Sequence, residues 1–259
     1  MTPPRLELAG IAKRFGPLDV LADITLSVAP GEFVSILGPS GAGKSTLFQI
    51  LTGAVVPDRG RVRFDGQPLD ARAHPFAFMP QRDALMPWRR VIDNAALGLE
   101  VEGMRRRDAR GRVRPLFAPF GLAGFEQHYP AQLSGGMRQR VGLLRTVVQE
   151  RPMLLLDEPF GALDALTRAS VQQWLERMWE RHRWTVLLVT HDVREAVFLS
   201  DRILVLSARP ARVIREVKVP LSRPRSLRDL SSPEAARTEA DLLETLLGLS
   251  PSDTKDHPR

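Results

Sequence analysis

Gly38-Pro39-Ser40-Gly41-Ala42-Gly43-Lys44-Ser45-Thr46 decides how the rest of the chain is read. A glycine, four residues and then Gly-Lys-Ser is the spacing of a loop that wraps phosphate groups. The residue types follow from that task. Gly41 and Gly43 let the backbone curl so that N–H groups point inward as a concave anion nest. Lys44 adds a compact positive charge for the outer phosphates, and Ser45 offers a hydroxyl to Mg²⁺. A helix beginning here aims the positive end of its dipole at the same oxygens. The flanks agree: Phe33, Val34, Ile36 and Leu37 form the short apolar run of a buried strand, and Leu47, Ile50 and Leu51 recur at helical spacing. Strand, loop and helix in this order imply a nucleoside triphosphate held by residues 38–46.

The bulk properties bound what surrounds that loop. A chain of 259 residues with 43% hydrophobic content fills one large core or two small ones. No stretch approaches the roughly 18 uninterrupted apolar residues of a membrane span. The first residues interleave Arg5 and Glu7 with Leu6 and Leu8, unlike a signal peptide, so the expected compartment is the cytoplasm. The absence of cysteine excludes disulfides, thiolate zinc sites and cysteine-held iron–sulfur clusters, leaving Mg²⁺ carried with the nucleotide as the metal the sequence supports. A net charge of +7 favours acidic partners without choosing between phospholipid and nucleic acid.

Along the chain, Leu6 and Leu8, then Ile24, Leu26 and Val28, then Val62 and Phe64 alternate between turns at Ala29-Pro30-Gly31 and Asp65-Gly66, which predicts short antiparallel strands. From about Val91 to Glu150 the pattern turns helical and carries Arg105, Arg106, Arg107, Arg110, Arg112 and Arg114, read as a solvated helical face. Strand–helix alternation then returns: strands at Met153 to Asp157, Thr185 to Thr190 and Ile203 to Leu206, with a helix carrying Val171, Trp174, Leu175 and Met178. The expected fold is α/β, a P-loop NTPase core with an N-terminal antiparallel β subdomain and a helical subdomain inserted at about 88–150. After Ser207 the chain becomes Pro- and Arg-rich. An extension, residues 221–259, is expected to hold a helix over 233–247, opened by Ser232-Pro233 and closed by Gly248, and a disordered tail from 251.

A second constellation adds to the first. Leu133-Ser134-Gly135-Gly136-Met137 precedes a long helical pattern, and Met153-Leu154-Leu155-Leu156-Asp157-Glu158-Pro159 follows it. Apolar residues ending in two carboxylates place Asp157 and Glu158 at the C-terminal end of a strand, where open parallel sheets bind ligands. One carboxylate suits the Mg²⁺ shell and the other can orient an attacking water. With the phosphate loop, the Leu-Ser-Gly-Gly segment and Asp157-Glu158-Pro159 in this order, the chain resembles the ATPase subunit of ATP-binding cassette (ABC) transporters over about residues 5 to 220.

That resemblance implies specific roles. Phe15 matches the aromatic that stacks on adenine and Gln81 the glutamine that senses the γ-phosphate and Mg²⁺. His191 matches the switch histidine, and Gly161-Ala162-Leu163-Asp164 the loop that touches the opposite subunit. Ser134, Gly135 and Gly136 match the signature that grips the γ-phosphate from a second copy, implying a head-to-tail homodimer with two ATP molecules in its interface. Catalysis then falls to Glu158, His191 and Gln81, and Mg²⁺ to Ser45, Gln81 and Asp157. The segment from Gln81 to Trp88 matches the region that receives the membrane permease. Met86-Pro87-Trp88, Met137 and Phe160-Gly161-Ala162-Leu163-Asp164 look most like importers of the nitrate, sulfonate and taurine group, which take solute from a periplasmic binding protein and place this subunit on the cytoplasmic face of the inner membrane. The sequence departs from the family at Phe15, where Tyr is common, at Met137, where Gln is common, and along Arg138 to Val148, where alanines are more frequent. Two other readings stand beside this one. A nucleic-acid ATPase would use the Arg105–Arg114 cluster, but Ser45 and Ser134 lie too close in sequence for the long coiled coil of repair ATPases, and no nucleic-acid partner is expected. A non-catalytic nucleotide sensor would not need both Glu158 and His191.

Overall fold

The computed structural model describes residues 4–69, 75–161 and 163–248. The chain forms two compact units, residues 1–73 with 176–259, and residues 74–175. The expected tail from 251 and Ala162 lie outside the described residues.

The first unit opens with β1 (Leu6–Phe15) and β2 (Leu18–Val28), continues through β3 (Phe33–Leu37) and α1 (Lys44–Leu51), and then forms β4 (Arg59–Phe64) and the two-residue β5 (Gln67–Pro68). Strand β1 pairs antiparallel with β2 on one side and β4 on the other. Alternation buries Leu6, Leu8 and Ile11 of β1 against Ile24, Leu26 and Val28 of β2, each at 6% exposure or less.

The second unit holds β6 (Phe76–Met79), the short helices α2 (Val91–Ala95), α3 (Leu97–Val101) and α4 (Arg106–Val113), the longer α5 (Gly135–Val147), β7 (Met153–Asp157) and the start of α6 (Ala165–His182). Strands β6 and β7 pair in parallel, Phe76 with Met153 through Met79 with Leu156. This unit is wider than the helical stretch of about 88–150 and carries two strands of its own.

From Glu176 the chain belongs to the first unit again. There β8 (Thr185–Thr190), α7 (Val193–Leu199), β9 (Arg202–Leu206), β10 (Val213–Lys218) and α8 (Pro233–Leu247) follow. Strand β3 runs parallel between β8 and β9, and β10 closes that edge antiparallel to β9. Every residue of β3 and β8 is buried, which is why these strands read as unbroken apolar runs instead of alternating ones. No helix among the described residues is long and apolar enough to cross a membrane.

Candidate nucleotide site

In the first unit the phosphate loop leaves the end of β3 and enters α1. Gly43 stands at the helix N-cap in a left-handed conformation, φ 107°. A side chain there would meet Leu21 Cδ2 at 2.8 Å and Val20 Cγ1 at 2.9 Å, so glycine is demanded by both backbone and space. At Gly41 the backbone alone, φ +77°, calls for glycine, its neighbour being the movable guanidinium of Arg209, whose Nη2 a side chain would meet at 2.6 Å. Lys44 is 5% exposed, and its Nζ donates to the carbonyls of Gly38 at 2.7 Å and Pro39 at 3.0 Å, which sets the ammonium across the curl of the loop. The first turn of α1 contains no acidic residue, so no carboxylate competes with an anion for the positive helix end. Ser45 is exposed beside it.

Two further candidates belong to this unit. Leu37 pairs with Thr190 at the C-terminal ends of β3 and β8, and His191 follows Thr190 directly, exposed and level with the start of the loop. Asp192 then caps α7 by accepting the Glu195 N–H at 3.1 Å. Phe15 ends β1 with 45% of its surface exposed, and Lys13 Nζ lies 5.4 Å from its ring centroid.

The second unit carries the other half of the chemistry. Asp157 is the last residue of β7, at 9% exposure. Glu158 follows with φ 43°, a left-handed conformation that costs a non-glycine residue about 1 kcal/mol or more and is held where a site requires it. Gln81, two residues past β6, donates its Nε2 to Glu158 Oε2 at 3.0 Å. Ser134 caps α5, its Oγ accepting the Met137 N–H at 3.2 Å, so Gly135 and Gly136 present backbone N–H groups at a helix start that again lacks acidic residues. Gly136 approaches Thr167 closely, a side chain there reaching its Cγ2 at 2.5 Å. Asp164 Oδ1 accepts the Thr167 N–H at 3.0 Å. The Thr167 side chain first, and then its N–H, hold that carboxyl below the usual range.

The phosphate loop, the capped Ser-Gly-Gly turn and the acid-ended strand are the parts of a nucleotide-hydrolysing cassette, and the comparisons agree. A family model described as ABC transporter matches residues 21–161. The chain belongs to the ABC transporter family. An aliphatic sulfonates import ATP-binding protein of Rhodococcus jostii is 46% identical over 242 residues, covering 93% of each chain. A taurine import ATP-binding protein of Pseudomonas aeruginosa is 41% identical over 239 residues, covering 90% of this chain and 91% of its own. Among solved structures, a dimeric bacterial ABC transporter cassette superposes with a TM-score of 0.71 at 32% identity, over 84% of this chain and all of that one. This protein is accordingly an ATP-binding subunit, an ATPase, of an ABC transporter.

Within this ABC chain, residues that sequence reading passed over organise the second unit. Arg145 donates from Nη2 to the Asp83 carbonyl at 2.6 Å and from Nη1 to that of Ala84 at 2.9 Å. Arg138 reaches Asp83 Oδ2 at 3.2 Å. Gln139, 6% exposed, donates to the Pro159 carbonyl. One helix, α5, therefore fixes both the segment after Gln81 and the turn after Glu158. In sequence these three polar residues read only as departures from an alanine-rich helix.

Two of the arginines read as a solvated face are also ion-paired, Arg106 while remaining exposed and Arg110 while part-buried. Arg106 and Arg110 of α4 converge on Asp93 of α2, with Nη2–Oδ2 at 2.6 Å and Nε–Oδ1 at 2.6 Å respectively. They border a cavity of about 470 Å³ lined also by Trp88, Arg89, Arg90 and Tyr129. Trp88 is 73% exposed there.

Proposed function

We propose that this subunit hydrolyses ATP to power uptake of a solute of the sulfonate and taurine class through a separate membrane permease supplied by a periplasmic binding protein. The solute class is supported by the names of the relatives. The observation that carries hydrolysis is Glu158, held in a left-handed conformation past Asp157 and hydrogen-bonded to Gln81. A carboxylate so fixed polarises a water for in-line attack on the γ-phosphate.

The remaining roles follow from chemistry. Backbone N–H groups of residues 38–46 and Lys44 hold the phosphates, and Phe15 offers its open face to adenine. His191 contacts the γ-phosphate. Ser134, Gly135 and Gly136 of a second copy grip the same phosphate from the other side, and Asp164 borders the opposing subunit, which makes the working form a head-to-tail homodimer. That solved relative is itself titled as dimeric. No cluster of three His, Asp or Glu that could hold a metal alone occurs among the described residues. A hydroxyl, an amide and one carboxylate, from Ser45, Gln81 and Asp157, suit an ion that keeps waters and shares phosphate oxygens, as Mg²⁺ does. When bound, Mg²⁺ neutralises charge developing on the phosphates.

A nucleic-acid reading of the α4 arginines is disfavoured because Arg106 and Arg110 are engaged with Asp93 and Arg112 with Glu150. The exposed Trp88 supports docking of the permease at the segment from Gln81 to Trp88 instead, on the cytoplasmic face of the membrane.

Glu158→Gln tests the centre of this reading. The purified variant should retain about 1% of parental ATPase activity or less and form an ATP-dependent dimer by light scattering, and cells carrying it should lose uptake of taurine and short alkanesulfonates. Parental hydrolysis without an ATP-dependent dimer overturns the role of Glu158. Trp88→Ala should release the subunit from membranes containing its permease while sparing basal hydrolysis. Full retention on those membranes with unchanged uptake removes Trp88 from the interface.

A further inference from the structure

The turn between β9 and β10 overhangs the phosphate loop. Leu206, the last residue of β9, lies against Gly38, where a side chain would meet Leu206 Cβ at 3.1 Å. Arg209, at the tip of the turn, lies against Gly41 through its guanidinium. The turn is fastened on both sides. Ser207 N–H donates to the Arg212 carbonyl at 3.0 Å, and the Arg212 N–H to Ser207 Oγ at 3.0 Å. Ala211 is fully buried and stitched to β2, donating to the Val20 carbonyl at 2.9 Å and accepting the Ala22 N–H at 2.9 Å. Val20 is also one of the side chains that bounds Gly43. Two of the loop's glycines therefore abut the β9–β10 corner, and the third abuts the strand to which that corner is tied.

The charge at this tip has no internal use. Arg209 is exposed and makes no hydrogen bond or ion pair with the described residues, whereas Arg202, Arg215 and Arg223 of the same region all pair with carboxylates. A guanidinium pressed against a loop built to hold anions, with no carboxylate of its own, raises the positive potential where phosphates sit.

We propose that Arg209 is a second cation of the nucleotide site, favouring the triphosphate's phosphate oxygens in addition to Lys44. The proposal rests on the reading of residues 38–46 as the ATP-binding loop. Because its charge acts on the phosphates and not on the base, Arg209 discriminates by phosphate number, tightening ATP more than ADP.

Titration calorimetry of Mg²⁺-ATP and Mg²⁺-ADP into the full chain and its Arg209→Gln and Arg209→Lys variants tests this. Arg209→Gln should weaken ATP about five- to tenfold and ADP about two- to threefold. Arg209→Lys should stay within about threefold of the parent. Added KCl should weaken ATP more steeply for the parent than for Arg209→Gln. An unchanged ATP affinity in Arg209→Gln, with parental melting temperature, overturns the proposal. So does loss of the ATP-dependent dimer without loss of affinity in the monomer, since that assigns Arg209 to the subunit interface. A parent chain that binds no ATP overturns the underlying reading of the loop, and Arg209 falls with it.

Discussion

Asp93 shows how a single carboxylate sets local stability. Its side chain is 1% exposed and accepts from Arg106 Nε at 3.2 Å and Nη2 at 2.6 Å, and from Arg110 Nε at 2.6 Å and Nη2 at 2.9 Å. Burial pushes the carboxyl up, but the hydrogen bonds from Arg110 and then Arg106 outweigh it and hold the group well below the usual carboxylate range. The sign follows from the linkage between proton binding and folding. A depressed acid contributes stability that is fully present above its unfolded value of about 4 and is lost progressively as pH falls from there through the lower folded value. Asp93→Asn should therefore lower the unfolding free energy by about 2 kcal/mol near neutral pH. Urea denaturation should give the same gap between parent and variant at pH 7 and pH 5, narrowing once pH falls below about 4. A gap already closed at pH 5 would show that the ionised carboxylate is not what holds the arginines. None of this was legible in the sequence: Arg106 and Arg110 lie 13 and 17 residues from Asp93, across a turn whose course no local pattern specifies.

At the scale of elements, α7 is held from its C-terminal end by a segment that in sequence is Pro- and Arg-rich and carries no assigned element. Arg225, 7% exposed, donates Nη1 to the carbonyls of Phe198 at 3.0 Å and Ser200 at 2.8 Å, and Nη2 to that of Leu221 at 3.0 Å. Arg223 donates Nη2 to the Leu199 carbonyl at 2.6 Å and forms ion pairs with Glu176 and Asp201. These guanidinium groups satisfy carbonyls that a seven-residue helix leaves open, and a cation there also complements the dipole. Burial, and next the like charge of Arg223, lower the pKa of Arg225 to about 10, still protonated at neutral pH. Arg225→Met keeps the volume but strips the donors, and should cost about 2–4 kcal/mol, read as a lower urea midpoint at unchanged slope. A midpoint within error of the parent would mean that water replaces the guanidinium. Helix α8, by contrast, is plain in the sequence, because Ser232 at the cap, Pro233 at the first turn and Gly248 in the left-handed conformation are all local signals. Strand β10 escaped notice: it is a mostly exposed edge carrying Arg215, Glu216 and Lys218, and only pairing with β9 makes it a strand. The same divide runs through the candidate site. Gly38–Thr46, Ser134–Gly136 and Asp157–Glu158 announce themselves by spacing, while Arg138 acts through the Asp83 carboxylate, and Gln139 and Arg145 through backbone carbonyls, all distant in sequence.

For the whole molecule, the chain has one phosphate loop and one Ser-Gly-Gly turn, each at a helix start free of acidic residues. In the proposed head-to-tail dimer every ATP takes its loop from one copy and its signature from the other, so each of two sites is a composite. This symmetry makes a quantitative prediction. Lys44→Ala and Ser134→Arg should each abolish hydrolysis alone, since every site then contains a defect. Mixed in equal amounts, the two variants pair at random and half of the dimers are hybrids. In a hybrid one site joins the intact loop of the Ser134→Arg chain to the intact signature of the Lys44→Ala chain, while the other site carries both defects. If each site turns over independently, the mixture should recover about a quarter of parental activity. Recovery near zero would mean that the two sites must fire together, which a covalently linked pair with one defective site tests directly. A Ser134→Arg chain that hydrolyses ATP unaided would instead show that loop and catalytic carboxylate from one copy suffice, and the composite site would have to be abandoned.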